Sequence, residues 1–218
     1  MVNLDPDPDW RENGQFGAGF SRRRDTICVM AVTEDREILA ARDLLARYAD
    51  VYPLDGAEIV PVEDIAESFL GLLVKDAPLD DGVSGMLRIR EREISVNASE
   101  GARWPRRRRF TIAHEVGHWQ LHKDDIADLV VTRTHDYVPA AREKAKTPEE
   151  IREREANRFA AELLMPEDRI HAAVDVHGAD VVAQAERFNV SALSMAWRLY
   201  NYGYITRRPQ RRDYEGLD

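Results

Sequence analysis

The chain has 218 residues, with 31 Lys and Arg against 40 Asp and Glu, which gives a formal net charge of −9. Its single cysteine, Cys28, excludes an internal disulfide scaffold and a cysteine-rich zinc module. The length and the 44% hydrophobic content are typical of one globular domain, and the acidic balance argues against a protein that mainly binds nucleic-acid phosphates.

The N-terminal segment is rich in Asp, Pro, Gly and Arg and has no periodicity, so residues 1–30 are predicted to be a flexible leader. It lacks the apolar core of a secretion signal, and no apolar run in the chain is long enough to span a membrane. These features predict a cytoplasmic protein. We expect one domain over residues 31–205, with a helical C-terminal part from about residue 167, and a basic tail over 206–218.

The first half of the domain is predicted to contain two helices followed by short strands. Thr33 is a plausible cap for a helix that ends at Tyr52-Pro53, and a second helix begins near Pro61. Apolar residues alternate over 83–90 and again over 93–97, which predicts an antiparallel hairpin, and residues 72–75 are a further strand candidate.

The second half is predicted to be mostly helical. A long helix runs from about residue 104 or 106 to 121, and the charged, poorly periodic residues 123–146 are interpreted as a surface excursion. Thr147-Pro148 begins the next helix, which ends at Met165. Three shorter helices are predicted over 167–176, 180–188 and 191–202. The predicted fold is therefore α+β, mostly helical, with a small antiparallel β-sheet.

The long helix contains the sequence His-Glu-Val-Gly-His at 114–118. His114 and His118 are one turn apart, so both imidazoles share a face and can bind one zinc ion at about 2.0–2.1 Å. Glu115 lies beside them and can act as a general base on a metal-bound water, which is the division of labour in a hydrolytic zinc site. The alternative is a pair of ordinary hydrogen-bonded core histidines next to a Glu.

Three further residues of this region narrow the kind of site. Gly117 costs a helix interior about 1 kcal/mol relative to Ala, which suggests that another element approaches closely there. His122 lies about 12 Å from His114 along the helix axis, too far to share an ion, and is interpreted as a helix-end histidine near the C-terminal dipole. Asp124 stands where the metzincin motif requires histidine, which argues against that class.

A third ligand is sought on the helix that begins at Thr147. Glu153 and Asn157 are one turn apart, and an inward Glu in an apolar environment is costly unless it faces a cation. Glu153 is therefore a candidate metal ligand, and Asn157 could orient a ligand through a hydrogen bond. Helical phase points Glu155 and Glu162 elsewhere. From phase alone, the alternative that Glu153 belongs to a solvated, charged first turn is equally good.

Two segments together resemble the ImmA/IrrE family of metallopeptidases. They read RFTIAHEVGHWQLH at 109–122 and EREANRFAAELLMP at 153–166, and residues 94–97 and 188–191 are also similar. The resemblance covers roughly residues 60–205. It implies a gluzincin-type zinc peptidase in which the zinc ligands are His114, His118 and Glu153 and the general base is Glu115.

The same resemblance implies a protein substrate, a helix-turn-helix repressor that controls mobile elements or stress genes and is encoded nearby. The chain shows no obvious helix-turn-helix in its first 60 residues, and the excursion at 123–146 departs from the family pattern and leaves the shape of the cleft open. The alternative is a metal-containing regulatory module that senses or sequesters a partner without cutting it. A structural metal site would need a fourth protein ligand, and the sequence offers no good one near the motif.

Three other features are weighed against plainer interpretations. Arg103 and the arginines at 106–109 could form a docking patch, but a solvated helix start is favoured, as it is for the arginines of the tail. Residues 180–202 could mimic a helix-turn-helix, but their apolar pattern is more typical of packing on a core, and direct nucleic-acid binding is not expected. No pattern selects a transition-state donor among the remaining histidines and tyrosines, which include His135, His171, His177, Tyr137, Tyr200 and Tyr202.

Overall fold

In a computed structural model of the chain, the described residues are 35–54, 56–125, 128–133, 147–214, 216 and 217. The predicted leader, Cys28, His135 and Tyr137 lie outside them. The helices are α1 Arg36–Val51, α2 Val62–Asp64, α3 Ala98–Arg103, α4 Pro105–His122, α5 Pro148–Leu164, α6 Glu167–His177, α7 Val181–Phe188 and α8 Ala192–Asn201. The strands are β1 Leu73–Ala77, β2 Val83–Arg88, β3 Glu93–Asn97 and β4 Leu129–Arg133. A π-helical turn, Ile65–Phe69, extends α2, and a 3₁₀ turn covers Arg211–Asp213.

The four strands form one sheet in the order β1-β3-β2-β4. Strands β2 and β3 form the predicted antiparallel hairpin, in which Leu87 is opposite Ile94, and both side chains are buried. Strand β1 pairs with β3 in parallel. The predicted α+β, mostly helical class is confirmed, but the sheet is mixed rather than wholly antiparallel. Pairing across the sheet between distant segments, which local alternation does not reveal, decides this difference.

Strand β4 lies within the segment that was predicted to be a surface excursion, so that interpretation is wrong at residues 129–133. The strand pairs antiparallel with β2, with Val130 opposite Leu87 and Thr132 opposite Gly85. Residues 126, 127 and 134–146 of the predicted excursion lie outside the described residues. Helix α3 was also not predicted, and it begins where the Asn97 side chain accepts a hydrogen bond from the Ser99 backbone N–H at 3.1 Å.

Three helix starts in the C-terminal half, those of α5, α7 and α8, agree with the predictions because a side chain caps each of them. At α5, the Thr147 hydroxyl accepts from the Glu150 N–H and the Glu150 carboxylate accepts from the Thr147 N–H, both at 3.1 Å, which completes a capping box. The Asp180 side chain caps α7 by accepting from the Ala183 N–H, and the Ser191 side chain caps α8 by accepting from the Ser194 N–H. Proline at the first position of α5 adds a preset backbone angle.

Helix α4 lies between the sheet and α5, with contacts to β2 and β3 and to α5. Its central residues Ile112, Ala113 and Val116 are fully buried, as are Phe159 and Leu163 of α5. Ala185 and Phe188 of α7 and most of the apolar face of α8 belong to the same core, as the packing interpretation of 180–202 predicted. The two helices that carry the candidate site residues are thus the central helices of the described fold.

The C-terminal tail contacts the domain at several described residues. Tyr214 packs against the core, and the Arg208 guanidinium lies 5.5 Å from the centre of the Trp197 ring. Arg207 donates to the Asp213 carboxylate at 3.1 Å. Among the described helices, none combines the length and the apolar composition needed to cross a membrane.

Candidate metal centre

The centre forms where α4 and α5 approach closely at Gly117. A Cβ at this position would lie 3.1 Å from Cδ1 of Phe159 and 3.2 Å from the Cα and carbonyl oxygen of Ala156. The close approach that the mid-helix glycine suggested is confirmed. It brings the face of α4 that carries both motif histidines against the face of α5 that carries Glu153.

The side chains of His114, His118 and Glu153 converge at this contact. The two Nε2 atoms are 3.0 Å apart, and the Glu153 carboxylate oxygens lie 3.2 Å from Nε2 of His114 and 3.1 Å from Nε2 of His118. Ligand atoms at about 2.0–2.1 Å from a tetrahedral ion are about 3.3–3.4 Å apart, so these three atoms fit one ion with little adjustment. The alternative that Glu153 belongs only to a solvated first turn does not fit this geometry.

Among the described residues, these three form the group of His, Cys, Asp and Glu side chains that could hold a metal ion. Both histidines are buried, while the Glu153 side chain is 41% exposed. Two imidazoles and a carboxylate from neighbouring helices are the donor set of an open zinc centre. The chemistry of the three side chains therefore fits a metal ion.

A family model described as an IrrE N-terminal-like domain, Peptidase_M78, matches residues 70–200, which is more than half of the chain. The chain belongs to this family. No curated protein matches it. Membership supports a metallopeptidase-type function, hence a hydrolase, and implies a metal, for which the His114, His118 and Glu153 group is available. The resemblance seen in the sequence is thereby confirmed at the level of the family.

The motif Glu of this Peptidase_M78 chain is fully buried beside the histidines. Neither Glu115 carboxylate oxygen makes a hydrogen bond of good geometry among the described residues, although the Thr132 hydroxyl lies close enough to lower the pKa of Glu115. The carboxylate lies against Gly85 of β2, where a Cβ would be 2.7 Å from its Oε1 and 2.5 Å from Cγ2 of Thr111. Gly85 thus provides the space that Glu115 occupies, a role that the strand pattern did not reveal.

The ring nitrogens that face away from the metal group also have partners. Nδ1 of His114 lies 3.0 Å from Oδ1 of Asn157, so the predicted contact between Asn157 and a ligand is present. Nδ1 of His118 lies 3.2 Å from Nδ1 of His122, and Nε2 of His122 lies 2.8 Å from Oε2 of Glu155. His122 is the last residue of α4, as expected, but it is buried and hydrogen-bonded rather than simply near the helix dipole.

The His122–Glu155 contact was missed by the sequence interpretation. Helical phase correctly turned Glu155 away from the metal group, but it could not show what lies on that side. The spacing of 114, 118 and 122 was the available signal, because it places three histidines on one helical face. Glu162, also turned away by phase, pairs instead with Arg42 and Arg198.

The pKa values of this group of side chains follow from burial and from the Glu153 carboxylate between the two imidazole rings. Burial raises the pKa of Glu115 to about 7, and it lowers the pKa of His118 to about 4. Burial alone would raise the pKa of Glu153, but hydrogen bonds from His114 and His118 outweigh it and hold that pKa well below its usual range. His118 is therefore neutral near pH 7, the form in which an imidazole binds a metal.

A small cavity adjoins the metal group. It has a volume of about 20 Å³, enough for a single water molecule, and Glu115 is not among its lining residues. The lining residues are Ser84, Arg107, Phe110, Thr111, His114, Thr132, Glu153 and Asn157. Cationic Arg107, one of the predicted basic cluster, thus faces the same space as His114 and Glu153.

Two other arginines of that cluster, Arg108 and Arg109, tie the start of α4 to other elements rather than facing water. Arg108 forms ion pairs with Glu63 and Asp76, each at 2.9 Å. Arg109 donates to the Val60 carbonyl at 2.8 Å and to the Asn189 carbonyl at 3.2 Å. The favoured interpretation of a solvated helix start is wrong for these two residues, because their guanidinium groups are held by other elements.

Proposed function

We propose that this protein is a zinc-dependent endopeptidase that hydrolyses a peptide bond in a specific regulatory protein, a helix-turn-helix repressor. The observation that carries the proposal is the convergence of His114, His118 and Glu153 within 3.0–3.2 Å of one another, with the Glu115 carboxylate beside them. Membership of the Peptidase_M78 family supports the peptidase part of the proposal. The repressor is proposed from the sequence resemblance.

Zinc is the metal that the donor set favours, because two imidazoles and one carboxylate form the ligand set of catalytic zinc sites. The described residues that could hold a metal are three, which leaves one tetrahedral position for water or substrate. When bound, zinc would polarise the scissile carbonyl and lower the pKa of a water molecule.

The protein's own residues would then move the protons. Glu115 accepts a proton from the attacking water and returns it to the leaving amine as the peptide bond breaks. It lies next to His114 and makes no well-formed hydrogen bond to the described residues, so its oxygens have no competing partner for this exchange. Asn157 accepts from Nδ1 of His114 and so holds the ring with Nε2 directed at the metal.

A second candidate function is a metal-containing regulatory module that senses or sequesters its partner without proteolysis. The burial of Glu115 favours it, because the carboxylate is fully buried and does not line the cavity next to His114 and Glu153. The carboxylate lies against Gly85 of β2 and near Thr132 of β4, so a substrate peptide reaches it only if these neighbours move. In this alternative the centre stays closed and the partner is released intact.

The test combines metal analysis with a cleavage assay on the full chain, purified without a metal-binding tag. We expect one zinc per chain by plasma mass spectrometry and site-specific cleavage of the helix-turn-helix regulator encoded beside this gene. The Glu115→Gln variant should keep its zinc and lose about 10²–10⁴-fold in cleavage rate, the usual contribution of a general base. Full cleavage by Glu115→Gln would contradict the mechanism, and partner binding with the partner chain intact would favour the second function.

A further inference from the structure

Each of the two candidate ligand imidazoles has one ring nitrogen in the metal group and the other bonded elsewhere. For His114 the outer partner is Asn157, at 3.0 Å. For His118 it is His122, at 3.2 Å, and His122 continues to Glu155 at 2.8 Å. A continuous series of hydrogen bonds thus leads from the metal group to a carboxylate on α5. His118 and His122 are buried, whereas the Glu155 side chain is 23% exposed.

The protons of this series have one consistent arrangement if His118 binds a metal through Nε2. A metal-binding Nε2 carries no proton, so neutral His118 has its proton on Nδ1 and donates it to Nδ1 of His122. His122 then has its own proton on Nε2 and donates it to the carboxylate of Glu155. Donors and acceptors therefore alternate along the series, so each donated proton meets an acceptor.

We propose that His122 and Glu155 are positioning residues for the metal centre, which hold His118 in the tautomer and ring orientation that direct Nε2 at the ion. The inference rests on the proposed function, because it takes His118 as a ligand. Outer partners of this kind fix a ligand ring and increase its basicity, and their loss typically lowers metal affinity about 10–100-fold. Helix α5 then orients both histidine ligands. Asn157 contacts His114 directly, whereas Glu155 acts on His118 through His122 at the end of α4.

The test measures zinc affinity of the full chain by competition with a chromophoric zinc chelator, after the protein has been stripped of metal. His122→Phe removes both hydrogen bonds and should weaken zinc binding about 10–100-fold. His122→Asn keeps an acceptor near the position of Nδ1 and should recover most of that loss. Glu155→Gln keeps an accepting oxygen without the charge, so its loss should be smaller than that of His122→Phe.

Two further measurements separate positioning from folding. The thermal midpoint of each metal-free variant should stay close to that of the wild type, and the visible spectrum of the cobalt-substituted protein should change in His122→Phe and return in His122→Asn. Glu149→Gln is the matched control, because it removes a charge from α5 at a side chain that is 83% exposed. It should leave zinc affinity unchanged.

The outcomes distinguish this inference from the proposed function. Wild-type protein that takes up no zinc overturns both. Wild-type protein that binds zinc, with His122→Phe and Glu155→Gln binding within about threefold of it, overturns the positioning role and leaves the proposed function standing. A loss in His122→Phe that His122→Asn does not recover, with an equal fall in the metal-free midpoint, shows a purely structural residue and also overturns the inference.

Discussion

Helix α5 contributes one carboxylate to each of two polar clusters, and the clusters differ in how completely their hydrogen-bonding groups are paired. In its last turns, Glu162 is 2% exposed and accepts from Arg42 of α1 at 2.8 Å and from Arg198 of α8. Arg198 also donates to the Met165 carbonyl at 2.8 Å and 3.0 Å. In its first half, Glu153 faces two imidazoles, and the adjacent Glu115 has no partner among the described residues.

The difference separates a cluster in which every charge is paired from one in which a buried carboxylate is not. Around Glu162, each charge meets an opposite charge or a carbonyl, so the cluster ties α5 to α1 and α8 and gains nothing from a further partner. Around Glu115, a buried carboxylate makes no well-formed hydrogen bond to the described residues, an arrangement that lowers stability and that folded proteins accept mainly at functional sites. Burial alone does not distinguish the two clusters; the pairing of each polar atom does.

The most direct test of this difference makes the same change, Glu to Gln, in each cluster. Glu162→Gln leaves two guanidinium groups without their anion and should lower the free energy of unfolding by about 3 kcal/mol. This is the lower end of the range for a broken buried ion pair, because Gln keeps one accepting oxygen. Glu115→Gln removes no ion pair and should change it by no more than about 1 kcal/mol. Urea denaturation of the metal-free proteins measures both.

The pair of variants contains its own control, since the chemical change is identical. Equal destabilisation by the two substitutions would show that Glu115 is as much a structural anchor as Glu162. In that case the unpaired carboxylate would no longer mark a ligand site.

Zinc addition tests the same difference at the metal group, because only one of the two clusters should respond to the ion. At a free zinc concentration 100 times the dissociation constant, the metal should add about 2.7 kcal/mol to the wild type, a rise in thermal midpoint of about 5–10 °C for a domain of this size. Glu162→Gln should show the same rise from a lower starting midpoint, because its cluster makes no contact with the metal group. Glu153→Ala should show little or none. Scanning calorimetry with and without zinc checks the three proteins, and a lost zinc response in Glu162→Gln would mean that the clusters are coupled.

The smallest expected effect concerns the separation of α4 and α5. Gly117→Ala gains about 1 kcal/mol of helix propensity but places a methyl group 3.1–3.2 Å from the Phe159 ring and the Ala156 backbone, so we expect a net loss of about 1 kcal/mol and weaker zinc binding. Gly101→Ala is the comparison, since its nearest neighbour is also 3.1 Å away but is the Arg108 side chain, which is remote from the metal group. It should lower stability, because it disturbs the ion pairs of Arg108 with Glu63 and Asp76, and leave zinc affinity unchanged.

Local chemistry made much of the fold predictable. Helices α5, α7 and α8 begin where Thr147, Asp180 and Ser191 cap them, and the β2–β3 hairpin follows from alternation. The two motif histidines and Glu115 came from spacing on one helix. Glu153 came from phase on a second helix together with the resemblance, because phase alone left it undecided.

The parts that were missed depend on contacts between distant segments. Strand β4 is five residues in a charged segment, and it becomes a strand by pairing with β2 about 45 residues earlier in the sequence. The space for Glu115 is supplied by Gly85 on another element, and the partner of His122 is supplied by Glu155 on another helix. Periodicity describes one segment at a time, so it cannot report what a neighbouring segment contributes.

The capping box of α5 has a consequence for how this centre tolerates change in the chain before it. Thr147 and Glu150 set the first turn of the helix through their own hydrogen bonds, and Glu153 and Asn157 follow at fixed rotations from that origin. The rotation of Glu153 about the axis is therefore set from Thr147 onward, and one residue added between 150 and 153 would rotate it by about 100°. A change of length inside this stretch of α5 would thus turn Glu153 away from His114 and His118.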